Sequence, residues 1–116
     1  MRKIEDSKIW KLETIDDFNE NILKEDNRNK VLVFSAKWCH VCHSYLPALD
    51  NFLNEHSDSS IEENDFFLVD VDEVPELSSH FWIKGVPLTF FFKNKEIVHQ
   101  PLVGADVRGV IDTLNK

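Results

Sequence analysis

The chain of 116 residues reads as an α/β domain, a central mixed β-sheet flanked by helices on both faces. Three observations predict this. Two unbroken apolar runs, VLVF at 31–34 and the core of DFFLVDVD at 65–72, have the length and β-forming content of strands buried on both faces. Segments of helical periodicity alternate with these runs, and alternation gives parallel strands. Towards the end, two β-like runs meet at Asn94 and Lys95, the signature of a hairpin and hence of an antiparallel pair.

Taken in order, residues 8–12, KIWKL, make the first expected strand. Thr14 followed by Asp17 is an N-terminal capping pattern, and Ile15, Phe18, Ile22 and Leu23 repeat at helical spacing, so an amphipathic helix of about three turns follows. VLVF is the next strand and runs directly into the cysteines. From Cys42 onward, Tyr45, Leu46, Leu49, Phe52 and Leu53 lie at helical offsets from Cys42 itself, which turns that thiol toward the core. Cys39 instead sits at the helix N-terminus, where unpaired backbone amides point outward. The expectation is one exposed and one sheltered cysteine. Pro47 falls about two turns into this helix and must cost it a backbone bond. SDSS at 57–60 is an ordinary loop, DFFLVDVD a strand, and PELSSHFW at 75–82 a short helix with proline in its first turn. Strands at 88–93 and 96–102 form the hairpin, and Asp106, Val107, Val110, Ile111 and Leu114 close the chain as an amphipathic helix. The order is β-α-β-α-β-α-β-β-α within a single domain spanning 1–116.

Thirteen basic against twenty-one acidic residues leave a formal charge of -8, which disfavours nucleic acid and anionic membranes as partners. No run approaches the roughly 20 apolar residues of a membrane span. The opening MRKIEDSKIW is too charged for a secretory signal peptide, so a cytoplasmic location is the default expectation. The expected oligomeric state is a monomer. The two cysteines are too close in sequence for a disulfide between them to add much chain-entropy stabilisation. They are there for chemistry.

That chemistry has three readings in the stretch AKWCHVCHSYLP, residues 36–47. Cys39 and Cys42 have the CxxC spacing of a redox dithiol; with His43 the letters spell CxxCH, a c-type haem attachment motif. With His40 and His43 they also make a Cys/His set of the kind that holds zinc.

The surrounding sequence bears on the choice. WCHVC follows a buried strand, Pro47 lies in the helix after it, and DVDEVPEL comes later. The Gly85-Val86-Pro87-Leu88-Thr89 segment, the FFKNKEIV hairpin and VGA before the last helix complete the pattern. In this combination the chain resembles the thioredoxin family over essentially its whole length. The resemblance implies the thioredoxin fold and a thiol:disulfide oxidoreductase activity, protein disulfides as substrates and a separate reductase or dithiol electron donor as partner. It also implies that Pro87 is cis and lies beside the dithiol, a conformation open to an X-Pro bond. The departures are specific. The usual Gly-Pro between the cysteines is His40-Val41, and Ser35 stands where a second tryptophan is common. Val33 occupies the position of a buried aspartate, and Leu68 that of its lysine partner.

Haem needs a pocket and a second axial ligand, yet the one methionine is Met1 and this fold's compact sheet leaves little apolar volume free. Zinc needs further ligands, and His40 and His43 are expected to point in different directions from the helix. The dithiol reading therefore stands, with no bound cofactor and no metal. In it Cys39 is the nucleophile, its thiolate favoured by the helix N-terminus, and Cys42 resolves the mixed disulfide. His40, His43, Trp38 and Pro87 are expected to support or tune the pair. Trp38, Val86, Pro87, Val103, Gly104 and Ala105 are expected to form the docking groove. His56, His80, His99 and Trp82 read as structural or solvated. The alternative is a thioredoxin-like binding or regulatory module with little catalytic activity.

Overall fold

The computed structural model describes residues 1–55 and 63–116; His56 and the SDSS stretch lie outside them. Its sheet is built around β3 (Asn29–Ser35), whose apolar run leaves no side available for solvent. On one side β3 pairs in parallel with β4 (Asn64–Asp70), which pairs in parallel with β2 (Ile9–Leu12), and β1 (Arg2–Lys3) closes that edge antiparallel to β2. On the other side β3 is antiparallel to β5 (Leu88–Lys93), which carries β6 (Glu96–Ile97) and β7 (Leu102–Val103).

Side chains alternate across β3, and each set has its own helices. Leu32 and Phe34 face α1 (Ile15–Asn21) and α3 (Pro75–His80), in a core with Phe18, Ile22, Leu77, Phe90 and Phe92. Phe34 packs edge-on to Phe81 and Phe90 with ring centroids 5.9 and 5.3 Å apart, contacts that each contribute about 0.5–1.5 kcal/mol beyond area burial. Val31 and Val33 face the opposite layer, α2 (His40–Glu55) and α4 (Val107–Leu114), with Tyr45, Leu49, Leu53 and Val110. Helices thus cover both faces, and the strand order places the C-terminal end of β3 directly under the start of α2.

The structure corrects several expected boundaries. Helix α1 has 7 residues, about two turns rather than three; Phe18 and Ile22 are buried while Ile15 and Leu23 are each 36% exposed. Its capping box is present: Thr14 Oγ1 accepts the Asp17 N–H, and the Asp17 carboxylate accepts the Thr14 N–H. The expected strand 96–102 is broken. Pro101 has no N–H to give to a ladder, and the return strand uses two more residues than β5 between the pairs Phe92↔Ile97 and Thr89↔Leu102. Strand β4 ends at Asp70, and α3 ends at His80, beyond which Trp82 takes the left-handed backbone region at φ 56°. Asp106 is not a helical residue but the cap of α4, its carboxylate accepting the Gly109 N–H at 2.8 Å. Strand β1 was not expected, because two exposed residues carry no apolar pattern.

Candidate active site

Cys39 occupies the position before α2, and its sulfur accepts the Cys42 N–H at 3.2 Å. That is the bond an N-cap side chain makes to the third helical residue, and it places the acceptor at the helix N-terminus, which favours negative charge. The Cys39 amide in turn donates to the Ala36 carbonyl, while the Cys39 carbonyl accepts from His43 N–H. Both ends of the residue are therefore fixed. The Cys39 thiol donates to the Val86 carbonyl at 3.6 Å, and the Val86-Pro87 peptide is cis, as the resemblance implies.

Both thiols are free. Cys39 retains 7% exposure and Cys42 none, so the expected order of access is present but Cys39 is a nearly buried group with a small accessible edge, not an exposed one. The reason is local packing: Ala36, Cys39 and Cys42 form a small apolar cluster closed by Val71 and Val86. Burial pushes the Cys42 thiol up, and the neighbouring Cys39 sulfur pushes it further, while hydrogen bonds from the Ser35 side chain and the Ala36 backbone pull the other way. The two cysteines thus differ in kind.

His40 and His43 are exposed, and their rings meet edge to face with centroids 6.3 Å apart. This corrects the expectation that they diverge. Neither imidazole hydrogen-bonds a cysteine sulfur among the described residues, and these residues hold no group of three or more His, Cys, Asp or Glu side chains able to take a metal ion. His80 packs on Phe81 and His99 on Phe91.

Around the dithiol two clefts meet at Lys84, Gly85 and Val86. One, of about 290 Å³, is lined by Trp38, Val71, Asp72, Pro75, Ser78 and Ile83 as well. The other, of about 380 Å³, adds Trp82, Pro87, Leu88, Val103 and Gly104. Trp38 is 66% exposed, yet its indole is anchored, donating to Asp72 Oδ2 at 2.9 Å. Asp72 is held in turn, since its N–H donates to Asp70 Oδ1 at 2.8 Å. Gly104 has φ 83° and donates its N–H to the Pro87 carbonyl at 3.0 Å; a side chain there would be strained. Ala105 is exposed beside the second cleft but lines neither.

This arrangement of a capped cysteine, a buried partner one turn on and a cis-proline loop over the first sulfur has counterparts. A family model described as Thioredoxin matches residues 9–116. The chain belongs to the thioredoxin family. It is 30% identical to Thioredoxin H3 of Arabidopsis thaliana over 105 residues, 89% of this chain and 84% of that protein. With Thioredoxin H4 of the same plant the identity is 35% over 83 residues, 72% of this chain and 66% of the relative. The X-ray structure of Fasciola hepatica thioredoxin superposes with a TM-score of 0.79 at 26% identity, covering 99% of this chain and 97% of that one. Thioredoxins are thiol:disulfide oxidoreductases, and Cys39-Cys42 is the CxxC dithiol of this one.

Three residues near the dithiol have features the sequence did not assign. Ser35, read only as a departure from the family, is buried at the end of β3 and draws the Cys42 thiol down against burial. Asp72 anchors Trp38 across 34 positions of sequence, a contact with no local signature. Trp82, assigned a structural or solvated role, is 79% exposed on the rim of the second cleft.

Proposed function

We propose that this thioredoxin reduces disulfides in partner proteins with Cys39 as nucleophile and Cys42 as resolving thiol. The carrying observation is the asymmetry of the pair: an N-cap sulfur with an accessible edge, and a buried one behind it. The Cys39 thiolate attacks one sulfur of the substrate disulfide; a Cys39–substrate S–S bond forms, the substrate S–S bond breaks, and the other substrate sulfur leaves as a thiolate that takes a proton. Cys42 then loses its proton to solvent and attacks Cys39. The Cys39–Cys42 bond forms, and the second substrate sulfur leaves. The substrate has gained two electrons and the dithiol has lost them, so a separate reductase or dithiol donor must restore it.

The substrate segment that flanks the disulfide lies along the two clefts, pairing with the backbone at Val86 and covering Trp38, Pro87, Val103 and Gly104, with Ala105 at the edge. His40 and His43, exposed on the first turn of α2 next to Cys39, support the pair. The protein works as a monomer in the cytoplasm and needs neither nucleic acid nor membrane; among the described residues no helix is long and apolar enough to cross one.

An insulin-disulfide reduction assay with a dithiol donor tests this. Turnover is expected from the native chain and none from Cys39→Ser, while Cys42→Ser should accumulate a mixed disulfide on Cys39. Stable partner binding without turnover in the native chain would instead identify a binding module.

A further inference from the structure

We propose that Trp82 determines substrate specificity: its indole covers an apolar side chain close to the substrate cysteine that Cys39 attacks, so disulfides flanked by leucine, methionine or phenylalanine are reduced in preference to those flanked by polar residues. The inference rests on the reading of the chain as a reductase of protein disulfides. Its starting point is the end of α3. The helix closes with the paired bonds of a Schellman motif, Ile83 N–H donating to the Ser78 carbonyl at 2.9 Å and Trp82 N–H to the Ser79 carbonyl at 3.3 Å. That motif puts the residue after the cap in the left-handed region, and Trp82 is there at φ 56°. Glycine is the usual occupant, since a side chain meets a steric cost in this conformation. Tryptophan bears that cost and recovers little by burial, because it remains 79% exposed. The contact that rewards it lies outside the chain.

Where Trp82 stands decides what that contact is. The two most exposed large apolar side chains among the described residues are Val103 at 85% and Trp82 at 79%, and both line one cleft, Trp82 from the end of α3 and Val103 from β7. The same cleft is lined by Val86, Pro87 and Leu88. It is continuous with the reacting sulfur, since the Val86 carbonyl accepts the Cys39 thiol proton at 3.6 Å. Its two sides are tied together, since Gly104 N–H donates to the Pro87 carbonyl at 3.0 Å. A substrate whose disulfide sulfur is at Cys39 therefore brings the residues beside its cysteine into this cleft. An apolar side chain there leaves water for contact with indole and valine. A serine in the same place loses hydration, and the apolar lining offers its hydroxyl no replacement. Trp82 acts on this binding alone, and the S–S exchange proceeds as above.

Single-turnover reduction of symmetric peptide disulfides by the pre-reduced chain, with the freed peptide measured by chromatography, tests the selection. The peptides carry leucine, phenylalanine or serine in turn at the positions flanking the cysteine on either side. At one of these positions the native chain should reduce the leucine and phenylalanine peptides roughly tenfold faster than the serine peptide at subsaturating concentration, the effect of part-burying one apolar side chain. Trp82→Gly should erase that preference and Trp82→Phe should keep most of it. The melting temperature of Trp82→Gly should be no lower than that of the native chain, because glycine suits the left-handed position. No preference in the native chain, a preference that Trp82→Gly leaves intact, or a lowered melting temperature with equal slowing of every peptide overturns the proposal. If the native chain reduces neither these peptides nor insulin, the reductase reading fails. Binding of the same sequences with serine in place of cysteine then decides the role of Trp82: its indole N–H magnetic resonance signal should shift with the leucine peptide and not with the serine peptide, and the absence of that difference overturns the proposal.

Discussion

Val33 shows how much one side chain sets at this site. It is 1% exposed, pairs with Leu68 on one side and Thr89 on the other, and lies on the α2 face where the resemblance would place a carboxylate. Without that acid, Val33 and its register partner Leu68 offer the Cys42 proton no acceptor, and burial already opposes the Cys42 anion. Resolution is therefore expected to be slow near pH 7 and to accelerate as pH rises, since the raised thiol ionises only at higher pH. Val33→Asp should speed that step while costing about 2–4 kcal/mol of stability, because a carboxyl replaces a methyl pair in an apolar cluster. Stopped-flow fluorescence of Trp38 separates attack from resolution, and urea unfolding gives the stability. Resolution that is already fast and flat between roughly pH 6 and 9, or that Val33→Asp leaves unchanged, would contradict the argument. The reactive pair, Trp38 and Pro87 were legible in the sequence because a motif of fixed spacing carries them. Asp72 was not, because it acts on Trp38 through a contact made only when distant elements meet.

At the scale of elements, what could be read was whatever periodicity or capping encodes locally. The alternating strands and helices of the first part, the hairpin turn at Asn94 and Lys95, and the Thr14–Asp17 box were all legible. The box has a measurable value. Thr14 Oγ1 accepts the Asp17 N–H at 3.1 Å, and Asp17 reaches back to Glu13 and Thr14 amides at 2.8 and 3.2 Å. Thr14→Ala removes one half of this reciprocal arrangement and should destabilise the protein by about 1 kcal/mol in urea unfolding. Thr14→Ser should restore most of it, and equal losses for both variants would show that the threonine methyl, not the hydroxyl, matters. Less legible were lengths and breaks. The apolar repeat ran on to Leu23, but α1 stops at Asn21; the return strand looked continuous through Pro101, but a proline and the two-residue register change split it into β6 and β7.

Over the whole molecule, charge and chemistry sit at opposite ends of the central strand. The dithiol lies beyond Ser35, while at the start of β3 Lys30 is 1% exposed and paired with Asp26 and Asp65, roughly 15 Å away along the strand. A lysine this deep in an otherwise apolar strand was not legible, because only the surrounding fold supplies its two carboxylates. The Lys30 ammonium holds the Asp26 carboxyl below the usual range, and Lys11, bridging β2 to the loop after β4, does the same for Glu73. Carboxyls with lowered folded-state values contribute stability that is fully present above the unfolded value, near pH 4, and is lost as pH falls through the folded values. The melting temperature should accordingly be nearly level from pH 7 to about 5 and fall steadily below about 4. Asp26→Asn should lower it by a few degrees at pH 7, a modest effect because the carboxylate is partly solvated. The difference from native should shrink as both proteins are acidified. It should leave the rates of attack and resolution unchanged, since the pair is remote from the sulfurs. A melting temperature that rises on acidification, or an Asp26→Asn deficit that persists undiminished at pH 2, would show that these pairs do not contribute in the charged form.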